Sequence, residues 1–289
     1  MDLEEGDIRV STLPGHKEAV TDVTSSDEVE RGWIYAPRKP GGLSGEHPYS
    51  SRVFGLPKTH LLEHKNAEGE EHLSFLVWTL GFLLGIRLTE TEAGFLDATP
   101  IKPGSLHDMV LVGPEVERRA LGHAERFWKA ASSDSQVPRA LTAVIHSYWL
   151  AQYPPALSFE RFTYLYVALD GCHFVNSRMN RKKPGRRNNK QRIAELCKSF
   201  EIAVPAWADP SSTECIAATR NMTLHEGLFF DKPLGFSPYG GKCLATRERN
   251  TTLEMRKLVS RLLCGILGLP DRTYIKSPIN SRQKHGMRL

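Results

Sequence analysis

Cysteine is scarce in this sequence. The chain has five cysteines in 289 residues, and no two of them form a Cys-x-x-Cys pair. Their spacing matches no zinc-binding template. We therefore expect reduced and mostly buried thiols, as is usual for a cytoplasmic protein. The five are Cys172, Cys197, Cys215, Cys243 and Cys264.

The sequence also lacks an apolar run long enough to cross a membrane. The clearest one, Leu-Ser-Phe-Leu-Val-Trp-Thr-Leu-Gly-Phe-Leu-Leu-Gly-Ile at residues 73–86, is shorter than the roughly 20 residues that usually cross a bilayer. We expect a buried helix at 73–88 and no membrane partner. The acidic N-terminal segment also lacks the apolar stretch of a secretory signal. These absences predict a cytoplasmic protein.

Charge is distributed unevenly along the chain. Residues 1–30 hold nine acidic and two basic side chains, whereas residues 136–289 hold 24 Lys and Arg against 11 Asp and Glu. A basic half favours a polyanionic partner, most simply RNA or DNA, although a solvated basic surface has the same composition. The basic loop 181–190 can hold phosphates without reading sequence. Its cations are Arg181, Lys182, Lys183, Arg186, Arg187 and Lys190.

Periodicity and turn residues divide the chain into four parts. Residues 1–30 are expected to be an acidic flexible tail, and residues 31–135 an irregular α+β module of unknown role. Residues 136–270 repeat apolar side chains at helical spacing, which predicts a bundle of about five helices, two of them near 191–200 and 211–225. A basic tail, 271–289, follows. The predicted fold class is therefore mainly α, with 132–138 as the linker.

One predicted helix end carries residues suited to RNA cleavage. Arg220 and His225 lie in Arg-Asn-Met-Thr-Leu-His-Glu-Gly, residues 220–227, and Gly227 is placed to end the helix. A histidine titrates near neutrality and can transfer protons as a ribose 2′-hydroxyl attacks the adjacent phosphorus. A guanidinium can stabilise charge on the phosphoryl oxygens. This chemistry needs no metal or cofactor, and a two-fold dimer would supply both proton-transfer groups.

The spacing of this pair is not specific by itself. Residues five apart are about 140° apart around a helix. Arg118 and His123 have the same separation, and for that pair we expect a structural role. Asn221 is four residues before His225 and shares a helix face with it. We therefore expect the Asn221 amide to orient the imidazole ring.

The setting of these residues is more informative than their spacing. Arg220, Asn221 and His225, followed by Glu226-Gly227 in a small basic helical bundle, resemble the HEPN superfamily over roughly residues 136–270. The preceding long helix resembles the second helix of that family. Many HEPN domains are metal-independent RNases of toxin–antitoxin, CRISPR and anti-phage systems.

The resemblance implies a homodimeric endoribonuclease, acting as a toxin or anti-phage effector, with Arg220 and His225 in a composite interface site. It also implies a supporting acid on the second helix, at about the position of Asp170. The products would carry 2′,3′-cyclic phosphate and 5′-hydroxyl ends. Some HEPN toxins are controlled through a tyrosine two residues after the histidine, where this chain has Gly227. An activator or antitoxin protein is expected to contact residues 31–135.

Two other functions stay open. An inactive HEPN scaffold could bind RNA or a partner protein without cutting. In addition, His60-Leu-Leu-Glu63-His64 matches the H-x-x-E-H pattern of inverzincin metallopeptidases. On a helix, His60 and His64 would share a face and bind zinc, with Glu63 as general base. The segment allows barely two helical turns, so a short surface helix is the simpler expectation.

Overall fold

The computed structural model describes residues 2–25, 27, 29–30, 33–34, 59–88, 107–153, 156–181, 189–230, 232–234, 246–281 and 283–289. Helices dominate these residues, which confirms the mainly α prediction. The helices are α1 (His16–Thr24), α2 (Glu70–Leu84), α3 (Val116–Ala131), α4 (Gln136–Leu150), α5 (Ser158–Met179), α6 (Asn189–Ser199), α7 (Ile216–His225), α8 (Thr246–Ile266) and α9 (Arg272–Lys276). The strands are β1 (Leu3–Glu5), β2 (Ile8–Thr12), β3 (Val29–Glu30), β4 (Trp33–Ile34), β5 (His60–His64), β6 (Met109–Leu111), β7 (Leu228–Phe229), β8 (Lys232–Pro233) and β9 (His285–Met287).

The acidic N-terminus is folded, so the predicted flexible tail at 1–30 is wrong for its described residues. β2 is the middle strand of an antiparallel sheet between β1 and β5. Its side chains alternate between the two faces. Ile8 and Val10 are therefore buried in the core while Arg9 between them is exposed. These two buried side chains anchor the strand. The sequence did not predict it, because the segment is otherwise acidic and has only two such residues.

The segment His60–His64 is a strand, not a helix, which corrects both readings of the H-x-x-E-H match. All five residues pair with β2, from Ile8 opposite His64 to Thr12 opposite His60. Residues four apart on a strand are about 13 Å apart along it. His60 and His64 therefore cannot share a metal ion, and Glu63 faces the other side of the sheet.

The apolar segment at 73–86 lies in α2, as predicted. Nine residues of this helix are buried, and Gly85 ends it with a left-handed φ of 67°. α2 packs against α3 and α4. Among the described residues, no helix is both long and apolar enough to cross a membrane.

The helical half is built around α5. This helix packs against α4 on one side and α8 on another, while α6 and α7 cover a further face. Gly171 permits the close approach of α4, because a Cβ there would lie 2.5 Å from Val144 Cγ2. The helix predicted near 191–200 begins at Asn189, and the one predicted at 211–225 begins only at Ile216. Both boundary shifts leave the motif at the end of α7.

The C-terminal residues 271–289 are not a loose basic tail. They form α9 and β9, and β9 pairs in parallel with β6. Tyr274 and Met287 are buried in the same cluster of side chains that contains Ile8. The predicted linker is a short turn, since α3 ends at Ala131 and α4 begins at Gln136. That cluster thus includes residues from both sides of the turn.

Candidate active site

α7 places the motif residues at the surface. Its buried residues, Ile216, Ala217, Thr219 and Thr223, lie on the face that meets α5 and α6. Arg220 is consequently half-buried, while Asn221 and His225 are exposed. The helix ends at His225, and Gly227 follows with a φ of 68°, as expected of a residue that terminates a helix.

The guanidinium of Arg220 is held from two directions. Its Nη1 donates a hydrogen bond to Asn221 Oδ1 at 3.0 Å, and its Cζ lies 5.9 Å from the centroid of the Tyr166 ring on α5. The second contact is a cation–π interaction at the limit of its usual range. No other described residue hydrogen-bonds to this guanidinium. Its remaining N–H groups are therefore available to a phosphate.

Asn221 differs from the expectation for it. Its amide oxygen accepts a hydrogen bond from Arg220 and does not orient the His225 ring. None of the described residues hydrogen-bonds to the imidazole of His225. Asn221 therefore positions the cation of the site, and His225 is left to contact solvent, substrate or another chain.

Asp170 lies on α5, one turn beyond Tyr166, and its carboxylate faces α6. Its Oδ1 accepts a hydrogen bond from Arg192 Nη1 at 3.2 Å. The acid that was expected to support Arg220 thus pairs with a different arginine. Burial is the main cause that raises the pKa of the Tyr166 hydroxyl to about 12, and both Arg220 and Arg192 act against it. That hydroxyl has no hydrogen-bond partner among the described residues.

Sequence reasoning missed two residues of this site, Tyr166 and Arg192. Tyr166 stands among the apolar residues of α5, and its spacing of four residues from Asp170 is the signal that could have indicated a shared face. Arg192 belongs to a different helix. Its proximity to Asp170 depends on how α6 packs on α5 and has no signal in the sequence.

The basic loop is only partly described. Arg181 is exposed and adopts a left-handed φ of 50°, and Lys190 is exposed in the first turn of α6. The other predicted RNA-binding cations lie outside the described residues. They are Lys182, Lys183, Arg186 and Arg187.

The second arginine–histidine pair is structural. Arg118 donates to Glu5 at 2.8 Å and to Glu115 at 3.3 Å, which ties α3 to β1. The Nε2 of His123 is 2.7 Å from the carbonyl oxygen of Leu267. Both side chains are thus engaged within the fold, which makes Arg118 a useful control for Arg220.

No family model, no curated protein and no solved structure matches this chain. The chemistry of its own residues is therefore the basis for assigning a function.

A second polar cluster lies away from α7, where β5, α2 and α3 meet. His64 Nε2 is 3.2 Å and His72 Nε2 is 2.7 Å from the carboxylate of Glu125, and Lys129 Nζ is 3.0 Å from it. The ligand atoms of the two histidines and the glutamate lie within 4.8 Å of one another. Both histidine side chains are almost fully buried. Atoms at this spacing could hold a metal ion if each Nε2 carried a lone pair. The position of the proton on each ring therefore decides the role of the cluster.

Backbone hydrogen bonds determine which ring nitrogen of each histidine carries the proton. The N–H of Asn66 donates to His64 Nδ1 at 3.0 Å, and the N–H of Glu68 donates to His72 Nδ1 at 3.3 Å. Each ring therefore carries its proton on Nε2 and donates it to Glu125. A ligating Nε2 must offer a lone pair instead. We conclude that this cluster is a charged carboxylate held by three N–H donors, and that it stabilises the fold.

Proposed function

We propose that this protein is a metal-independent endoribonuclease of the HEPN type. The observation that carries the proposal is the arrangement at the end of α7. There Asn221 and Tyr166 hold Arg220 with free N–H groups, and an exposed His225 lies on the same helix. A fixed cation and a solvent-accessible imidazole are two of the groups that RNA cleavage through the 2′-hydroxyl uses.

The reaction assigns one role to each side chain. The ribose 2′-oxygen forms a bond to phosphorus as the bond from phosphorus to the 5′-oxygen breaks. One imidazole accepts the proton of the 2′-hydroxyl, and a second, protonated imidazole donates a proton to the departing 5′-oxygen. Arg220 binds the phosphoryl oxygens between them. The products are a 2′,3′-cyclic phosphate and a 5′-hydroxyl.

The second imidazole is proposed to come from a second copy. Within one chain, Arg220 and His225 are separated by about 7.5 Å along the helix and by about 140° around it. Leu224 is 50% exposed beside His225, and Val167 is 52% exposed beside Tyr166. Singly exposed apolar side chains are common on monomers, so these two permit a contact with a second copy without requiring it. A two-fold contact here would bring two copies of α7 together.

The test is RNA cleavage by the purified protein in EDTA. We expect wild-type cleavage to survive chelation, and His225→Ala and Arg220→Ala each to lower the rate by at least roughly 100-fold. Arg118→Ala, which removes an equal charge from the other arginine–histidine pair, should leave the rate unchanged. The product ends, identified by mass, should be 2′,3′-cyclic phosphate and 5′-hydroxyl.

A different outcome would select the scaffold function. If RNA is bound but is degraded equally by wild type, Arg220→Ala and His225→Ala, the protein is an RNA-binding or partner-binding scaffold. A toxin or anti-phage role is proposed from the HEPN resemblance, with residues 31–135 contacting an activator or antitoxin. Growth arrest on expression, abolished by His225→Ala, would support that role.

A further inference from the structure

We infer that Arg192 is a second phosphate-binding residue of this site and that Asp170 positions it. The inference rests on the proposed function in that its ligand is an RNA strand. It assigns Arg192 to the phosphate adjacent to the one held by Arg220. Arg192 belongs to neither the Arg220–His225 motif nor the basic loop 181–190.

Two guanidinium groups converge on the same face of α5 from different helices. Arg220 reaches Tyr166 from α7, and Arg192 reaches Asp170 from α6. Tyr166 and Asp170 are four residues apart, which puts them on one face and about 6 Å apart along the axis. The two cations therefore lie over neighbouring turns of one rigid helix, an arrangement suited to successive phosphates of a single strand.

Arg192 keeps most of its hydrogen-bonding capacity. Only its Nη1 contacts Asp170, and none of the other described residues hydrogen-bonds to its side chain. The side chain is 33% exposed. A guanidinium has five N–H donors in a planar fork, so one edge can hold a carboxylate while another binds a phosphate. Asp170 would then fix the direction in which the fork points.

The surroundings of Tyr166 agree with this arrangement. Burial is the main reason that its pKa is raised, and the Asp170 carboxylate adds to the increase, whereas Arg220 and Arg192 both oppose it. Both cations therefore lie close to the same hydroxyl. Among the groups that act on Tyr166, two guanidiniums thus accompany one carboxylate.

A purely structural role for Arg192 is the competing explanation. It would act as an ion pair that joins α5 to α6, and partly exposed ion pairs of this kind contribute little to stability. The two roles predict different salt dependence of RNA binding. When log K is plotted against log salt, each protein cation that contacts a phosphate makes the slope steeper. For single-stranded nucleic acid, removing one such cation makes the slope shallower by about 0.7.

The experiment measures binding of a short 2′-O-methyl oligoribonucleotide by fluorescence anisotropy across a series of salt concentrations. This RNA lacks the attacking hydroxyl and cannot be cut. We expect Arg192→Ala to lower the slope by about 0.7 and the affinity by about tenfold. Asp170→Asn leaves Arg192 charged but removes the group that positions it, so the slope should fall measurably, though by less than for Arg192→Ala. Lys198→Ala, which removes an equal charge from an exposed position of α6, should keep the wild-type slope.

Several outcomes would overturn the inference. An unchanged slope for Arg192→Ala would do so, as would an unchanged slope for Asp170→Asn, an equal fall for Lys198→Ala, or failure of the wild type to bind. Arg192→Gln provides a neutral variant of similar length if Arg192→Ala does not fold. A wild type that binds this RNA but cuts no natural RNA would refute the nuclease while leaving the role of Arg192 intact. A nuclease with an unchanged Arg192→Ala slope would refute only the inference.

Discussion

Among single residues, the partners of a charged side chain decide what it can do. Arg118 and Arg220 are both arginines five residues before a histidine. Arg118 is engaged by Glu5 and Glu115 and serves the fold. Among the described residues, Arg220 is held only by a neutral amide and an aromatic face, so no described carboxylate neutralises its charge. Glu125 is like Arg118 in this respect, because its charge is engaged by His64, His72 and Lys129 within the fold.

Glu125 gives a prediction about pH. Burial raises the pKa of its carboxyl, but hydrogen bonds from Lys129, His72 and His64 outweigh that effect and lower the pKa from its usual 4.5. The folded protein therefore binds this proton less readily than the unfolded chain does. The stabilisation is complete above about pH 4.5 and is lost as the pH falls through the lower folded-state value.

We expect Glu125→Gln to destabilise the protein by roughly 1–3 kcal/mol near pH 7. The difference from wild type should shrink at acid pH, where the wild-type carboxylate is itself protonated. Denaturant unfolding at several pH values measures this. Glu117→Gln, an exposed acid on the same helix, is the control and should be nearly neutral throughout. A Glu125→Gln effect that does not change with pH would contradict the ionised cluster.

At the scale of elements, the contact between α4 and α5 sets the position of the site. α5 carries both Tyr166 and Asp170, and Gly171 immediately after them lies against Val144. The absence of a side chain at Gly171 is what allows the helices to approach. The location of the two arginines therefore depends on a residue that touches neither of them.

Gly171→Ala should destabilise the protein despite the better helix propensity of alanine. The propensity gain is about 1 kcal/mol, whereas the added Cβ would lie 2.5 Å from Val144 Cγ2, and overpacking of this kind costs about 1–3 kcal/mol. Thermal or denaturant unfolding gives the net change. In a Val144→Ala background the obstructing methyl groups are gone, so the same substitution should become stabilising. Additive effects of the two changes would refute the contact.

At the scale of the whole molecule, both chain ends are part of the core. β2 near the N-terminus contributes Ile8 and Val10 to the core. β9 near the C-terminus contributes Met287 and pairs with β6. The carbonyl of Met287 accepts a hydrogen bond from the Val112 N–H at 2.8 Å. The contacts between β6 and β9 join segments more than 170 residues apart in sequence.

Met287→Ala tests the place of the C-terminus. Because Met287 is fully buried, truncating it should reduce the free energy of unfolding by about 2–5 kcal/mol. Arg288→Ala, the exposed neighbour, should change it by less than about 0.5 kcal/mol. Chemical denaturation of both variants gives the comparison. Equal, small effects would mean that the end of the chain does not pack on β6.

Helical periodicity explains which features could be predicted. The α2 helix, the bundle helices and the end of α7 were recovered because a helix buries a repeating pattern within a single continuous segment. Most of the strands were missed, because a strand of two to five residues carries too few side chains to show its period. Its stability comes from a partner far away in the sequence, as for His60–His64 against β2.

The sequence by itself determined the charge of the chain, the mainly helical fold and the helix that carries Arg220 and His225, because these follow from local pattern and composition. Only the tertiary structure decided that Tyr166 lies under Arg220 and that Asp170 pairs with Arg192. It also decided that both termini join the core. Such contacts depend on how separate helices and strands pack, and residue spacing along one segment carries no record of that packing.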